Sequence, residues 1–212
     1  MQDTISQARK EGTISTGIDL FLAAALAVFK AIGLTSGGMF VIVSGIFIAL
    51  ICFSVIFRLR ALRKISMLSG IKAATLYRNC VMICVCFAMF LLFYPHYCCM
   101  KETEETIWSL LALVGTIYVM IAWLRINFSL ARISGVMTFQ IYVWLCIFFF
   151  ALNILCGTGP FGLANSKPQT GDSDAVLIIA SLKEFLPFVA LIITSIVHLL
   201  AWSKIEKINA EV

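Results

Sequence analysis

The stretch VIVSGIFIALICFSVIF, residues 41–57, runs without a single charge and passes directly into RLRALRKISMLSGIKAATLYR, residues 58–78. The second stretch holds six of the chain's sixteen basic residues and no acidic one. The first is continuous in apolar character rather than alternating. A barrel strand would be about 10 residues long with alternating polarity. In hydrocarbon every backbone N–H and C=O must be satisfied internally, so such a run is read as a helix, and roughly 20 mostly apolar residues suffice to span. An apolar span ending in a cluster of cations is therefore the unit from which the fold is built.

Composition extends this reading to the whole chain. Of 212 residues, 61% are hydrophobic and 13% charged, with a mean hydropathy of +1.01. Soluble proteins carry about 25% charged residues. The length accommodates about six spans with short loops and leaves no room for a separate soluble domain. The expected fold is an all-α membrane protein: a polytopic bundle of about six transmembrane helices forming one integral membrane domain, residues 1–212. The spans fall near 18–34, 38–57, 80–97, 107–124, 138–156 and 184–202. No small-residue cleavage site follows the first apolar run, so that span is expected to serve as an uncleaved insertion signal. No lipidation motif is recognisable.

Charge sets the orientation. Arg9 and Lys10, then Arg58, Arg60, Arg63, Lys64, Lys72 and Arg78, then Arg125 and Arg132, then Lys204 and Lys207 all fall on one side of such a bundle. The other side has only Lys101, Lys167 and Lys183, with Lys30 near the outer end of the first span, where it can snorkel. The positive-inside rule places both termini in the cytoplasm, as an even number of spans requires. In a bacterium this is the cytoplasmic (inner) membrane. The net charge of +5 is thus a topological feature, and no direct nucleic-acid binding is expected.

The basic cytoplasmic loop is expected over 58–79. Leu59, Leu62, Ile65, Leu68 and Ile71 recur at about a helical turn, predicting an amphipathic helix at the inner leaflet, interrupted near Gly70. Arg58, Arg60, Arg63, Lys64, Lys72 and Arg78 are its candidate contacts with lipid or a partner. The outer loop, 157–183, opens with Gly, Pro, Asn, Ser and Asp, which mark irregular structure. It closes with AVLIIASL, which lies along the interface or lengthens the sixth helix. Pro187 is expected in the first turns of that helix, where its missing N–H matters least. KETEET, residues 101–106, reads as a solvated turn leading into a helix. No matching residues relate the two halves of three spans.

Ala23, Ala27 and Ala31 recur every fourth residue, as do Gly45 and Ala49. That interval permits close helix approach, so the first two spans are expected to form a tight hairpin across LTSGG.

Chemistry-bearing residues are sparse. Cys52, Cys84, Cys86 and Cys146 fall inside spans as small apolar packing residues, and Cys80 and Cys84 share a face at the cytoplasmic end. Cys98 and Cys99, in PHYCC, lie at the outer end of the third span, and Cys156 at that of the fifth. A disulfide from Cys98 or Cys99 to Cys156 fits an oxidising periplasm. Membrane thiol oxidases present a C-x-x-C pair that this chain lacks. No metal or cofactor site is expected: metal binding by His96 with Cys98 and Cys99 ranks below both the disulfide and the redox reading of these cysteines. The middles of the spans lack charge, against the pattern of a proton-coupled carrier. Asp19, Arg125 and Glu184 sit at span ends. His198, about one turn from an inner end, reads as a packing or interfacial histidine. The sequence shows no G-x-S-x-G, H-E-x-x-H or Walker motif.

Three function classes are compatible with these features. The first is a non-enzymatic interaction protein that binds another membrane protein. The second is a small transporter or channel component, with Ser44, Thr116, Asn153 and Thr194 as polar lining. The third is a membrane thiol oxidoreductase around Cys98, Cys99 and Cys156. In size, in its wholly hydrophobic make-up and in the basic segment at 58–78, the chain resembles the entry-exclusion proteins of conjugative plasmids. The resemblance is architectural and carries no diagnostic motif. It implies a recipient-membrane protein that blocks transfer from donors with the same plasmid type by recognising a donor transfer component.

Overall fold

The computed structural model describes residues 2–32, 38–93, 102–155 and 174–209, with side chains placed over 2–29, 31–32, 43–89, 110–153 and 185–209. These residues form α1 (Gln2–Ile32), α2 (Gly38–Ser69), α3 (Ala73–Phe93), α4 (Glu102–Ser134), α5 (Thr138–Leu155) and α6 (Asp174–Ser203). Each helix packs on its neighbours in sequence, and α6 packs on α1, which closes the six into a ring. Four of them are long and apolar enough to cross a membrane: α1, α2, α4 and α6.

The helices contain the apolar runs but extend beyond them. α1 begins some sixteen residues before the expected span, because QDTISQARKEGTISTG buries Ile5, Ala8, Ser15 and Thr16 against its neighbours. The basic segment is not a loop up to Gly70. α2 continues straight through Arg58, Arg60, Arg63 and Lys64 to Ser69. ETEET, residues 102–106, opens α4 rather than forming a turn before it. AVLIIASL belongs to α6, so Pro187 sits in the helix interior instead of its first turns. There its missing N–H leaves the carbonyl four residues earlier without a helical donor.

Burial is concentrated at one end of the bundle. Ile5 and Ala8 of α1, Ala61, Leu62 and Ile65 of α2, Ile126 and Leu130 of α4, Phe139 of α5 and Trp202 of α6 share one core cluster with Ile205 and Ile208. The N-terminal and C-terminal residues thus meet at the same end. Asn209 N–H also donates to the Ile133 carbonyl at 2.9 Å. Away from this end, large apolar side chains stay exposed: Phe21, Ile48, Leu110 and Trp144 are each more than half accessible. Apolar association needs water to drive it, and lipid tails remove that drive. The division suits a bundle whose basic end is wet and whose remainder is bathed in hydrocarbon.

Two turns at the basic end share one design. Ser69-Gly70 ends α2 and Ser134-Gly135 ends α4, with φ of 78° and 66° at the glycines. An L side chain at either would be strained in this left-handed region. In both, the serine hydroxyl donates to the carbonyl four residues earlier, Ile65 at 2.8 Å and Leu130 at 2.5 Å. In both it also accepts the N–H two residues later, from Ile71 at 3.5 Å and Val136 at 3.3 Å. Arg60 precedes and Tyr77 follows the first turn at the same spacing as Arg125 and Tyr142 flank the second. The repeat therefore relates α2–α3 to α4–α5, a register different from two halves of three spans.

The expected close hairpin between α1 and α2 exists, but not through all the expected residues. Ala23 is buried, whereas Ala31, Gly45 and Ala49 are exposed, and no atom would touch a Cβ added at Gly45. Polar pairs and the Phe29–Phe47 ring contact at 5.6 Å hold the interface instead.

Candidate functional site

The basic segment is divided by the helix that carries it. Arg58 and Lys64 face α1 and are spoken for. Arg58 forms an ion pair with Asp19, and Lys64 Nζ lies 2.8 Å from Glu11 Oε1. Arg60 and Arg63 are exposed on the face of α2 turned away from Arg58, with Lys64 at its flank, Lys72 follows the Gly70 turn, and Arg78 is exposed on α3. Met67, 68% exposed, continues the stripe of Arg60 and Arg63. The apolar face predicted to lie on lipid packs into protein: Leu62, Ile65 and Ile71 are buried in the core cluster, with Leu68 against it. The amphipathic period was correct, but its partner is the rest of the bundle.

The inward cations organise a polar layer between α1 and α2. Ser54 Oγ donates to Asp19 Oδ1 at 2.6 Å, and Ser15 Oγ lies 3.0 Å from Ser54 Oγ. Ser54 has one hydroxyl proton, and the carboxylate is the stronger acceptor, so Ser15 is the donor to Ser54. Tyr77 of α3 and Tyr142 of α5, the equivalent tyrosines of the two repeated turns, lie in the surroundings of Arg58. Tyr142 stacks on His198 of α6, ring centroids 4.2 Å apart and planes within 7°. The indole N–H of Trp202 donates to His198 Nε2 at 3.0 Å, and Phe139 meets the Trp202 ring edge-on at 5.7 Å. Trp123 of α4 completes the layer against Tyr142 at 5.6 Å. Every helix contributes at least one of these groups. His198 accepts one hydrogen bond and is buried among aromatic rings, which is a packing role.

The other sequence candidates are distributed along the helices. Thr116 is exposed and Thr194 buried, and each hydroxyl donates to the carbonyl four residues earlier at 2.8 Å. Asn153 does the same to Phe149 at 2.7 Å, and Ser44 is half-buried near the start of α2. Cys52, Cys80, Cys84, Cys86 and Cys146 are free thiols. Cys98, Cys99 and Cys156 lie outside the described residues. Among the described residues no group of three His, Cys, Asp or Glu is placed to hold a metal ion.

Asp19 was seen in the sequence only as a span-end charge. Its signal was present: an acid and an arginine at matching depth on the two arms of one hairpin. Comparison with protein-family models, curated proteins and solved structures gave no match.

Proposed function

We propose that the chain is a multi-pass protein of a bacterial cytoplasmic membrane. All six helices cross, both termini face the cytoplasm, and the chain acts without catalysis by docking a membrane-protein partner on its basic end. α3 and α5, of 21 and 18 residues, would be about 31 and 27 Å long at 1.5 Å per residue, against a hydrocarbon core of about 30 Å. The convergence of the terminal regions at the end bearing most of the basic residues supports the orientation.

The observation that carries the docking reading is the division of one cationic segment into two sets. Arg58 and Lys64 are consumed in holding α2 to α1. Arg60 and Arg63 are presented to the surroundings on α2, whose other face is locked into a core, with Lys72 exposed in the turn that follows and Arg78 exposed on α3. Charges on a rigid surface hold fixed relative positions, which a specific partner can read and a solvated loop does not provide. The specific role that the architectural resemblance supports is exclusion of incoming conjugative transfer from donors with the same plasmid type.

Expressing the chain in plasmid-free recipients tests this. Transfer from donors of the plasmid that encodes it should fall, while transfer of an unrelated plasmid should not. Equal transfer of both plasmids removes exclusion. The docking reading is then decided by photo-cross-linking from position 67, where a single defined adduct is expected and its absence counts against docking.

A further inference from the structure

The exposed face of α4 changes character along its length. Val114, Ile117 and Ile121 are about half exposed and apolar. The exposed positions that continue the same stripe are Arg125, Phe128 and Arg132. There the surface is indented by a groove of about 360 Å³ lined by Ile121, Leu124, Arg125, Phe128, Ser129 and Arg132. Among the described residues the lining has three apolar side chains, one hydroxyl, two guanidinium groups and no acid. A guanidinium fork matches phosphate oxygens in bidentate geometry, and the Ser129 hydroxyl adds a donor. The two arginines are two turns apart, about 10 Å along the axis, close enough for their long side chains to converge on one headgroup.

We propose that this face of α4 binds an anionic phospholipid. Its phosphate is held between Arg125 and Arg132 with help from Ser129, and an acyl chain lies along Phe128, Ile121 and Ile117. The occupant follows from the order of the chemistry along one helix face: apolar where the bundle is bathed in hydrocarbon, cationic where the basic end begins. A molecule anionic at one end and apolar along the rest fits it, and cationic pockets at this depth are suited to lipid headgroups. The proposed orientation decides only which leaflet supplies the lipid.

The full chain, purified in neutral detergent, is offered phosphatidylglycerol or phosphatidylcholine of matched acyl chains, and bound lipid is read by native mass spectrometry. Phosphatidylglycerol should be retained preferentially. Arg125→Gln with Arg132→Gln should weaken its binding about thirty-fold, the effect of losing two cation–phosphate attractions. Lys204→Gln with Lys207→Gln removes equal charge from exposed positions at the same end and should leave binding unchanged. Should the glutamine variant fail to elute as a folded species, Arg125→Lys with Arg132→Lys replaces it. That variant should keep the preference for phosphatidylglycerol over phosphatidylcholine, and a folded lysine variant without it overturns the proposal. Equal loss from the Arg and Lys204/Lys207 double variants also overturns it, since net charge alone would then be acting. So does full displacement of phosphatidylglycerol by inorganic phosphate, the mark of a free-anion site. So does the absence of any lipid preference in a chain that dimerises through α4.

Discussion

Arg58 closes an ion pair with Asp19 across the α1–α2 interface, and Ser54 bonds the same carboxylate from one turn away. The first cation after the second apolar run is therefore a structural clasp. Its side chain and that of Asp19 are 20% and 32% accessible, so each charge has lost much of its water and depends on the other. Removing either leaves its partner poorly solvated.

Arg58→Gln and Asp19→Asn should each lower stability by about 2 kcal/mol, the scale of a hydrogen bond to a charged group. The double variant should lose less than the two singles combined, since no unpaired charge remains. Thermal unfolding of purified protein in detergent measures this. Strict additivity would show that the pair is not coupled.

Gly12 is matched to Trp202. A Cβ at Gly12 would collide with the indole, which is 1% exposed and tied to His198 and Phe139. Gly12→Ala should destabilise by about 1–3 kcal/mol through overpacking. Pairing it with Trp202→Leu should recover part of that loss. A Gly12→Ala protein as stable as the parent would contradict the α1–α6 contact.

The two Ser-Gly turns should respond alike. Gly70→Ala and Gly135→Ala force an L side chain into the left-handed region and should each cost about 1–2 kcal/mol. With no atom placed to touch a Cβ at either glycine, the penalty is conformational, so Asn should be tolerated better than Ala at both. Unfolding midpoints of the four single variants check the ranking, and Ala equal to Asn would contradict it.

The helical class was legible because apolar runs such as residues 41–57 allow no other backbone in hydrocarbon, and the turn at Gly70 was legible from the glycine itself. The helical extensions were not. Residues 11–17, EGTISTG, look like loop composition, yet Ser15 and Thr16 are buried, Ser15 beside Ser54 and Thr16 bonding back to the Gly12 carbonyl at 2.9 Å. Spacing rules located small residues at Gly45 and Ala49 but cannot say which way a face turns. The amphipathic face of 59–71 had a clear period, while its occupant depended on α1, α4 and α6, which are distant in sequence. The same limit hid the difference between Arg58 and Arg60: two residues apart on a helix, they point to different faces.

On the proposed docking reading, the inward cations hold the fold and the outward ones serve function. The most direct test compares two variants for accumulation in the membrane and for cross-linking from position 67: Arg58→Gln with Lys64→Gln, and Arg60→Gln with Arg63→Gln, Lys72→Gln and Arg78→Gln. The first should accumulate poorly and unfold at lower temperature. The second should accumulate and unfold like the parent but lose the cross-linked adduct. An outward variant that keeps the adduct, or an inward variant as stable as the parent, would contradict the division.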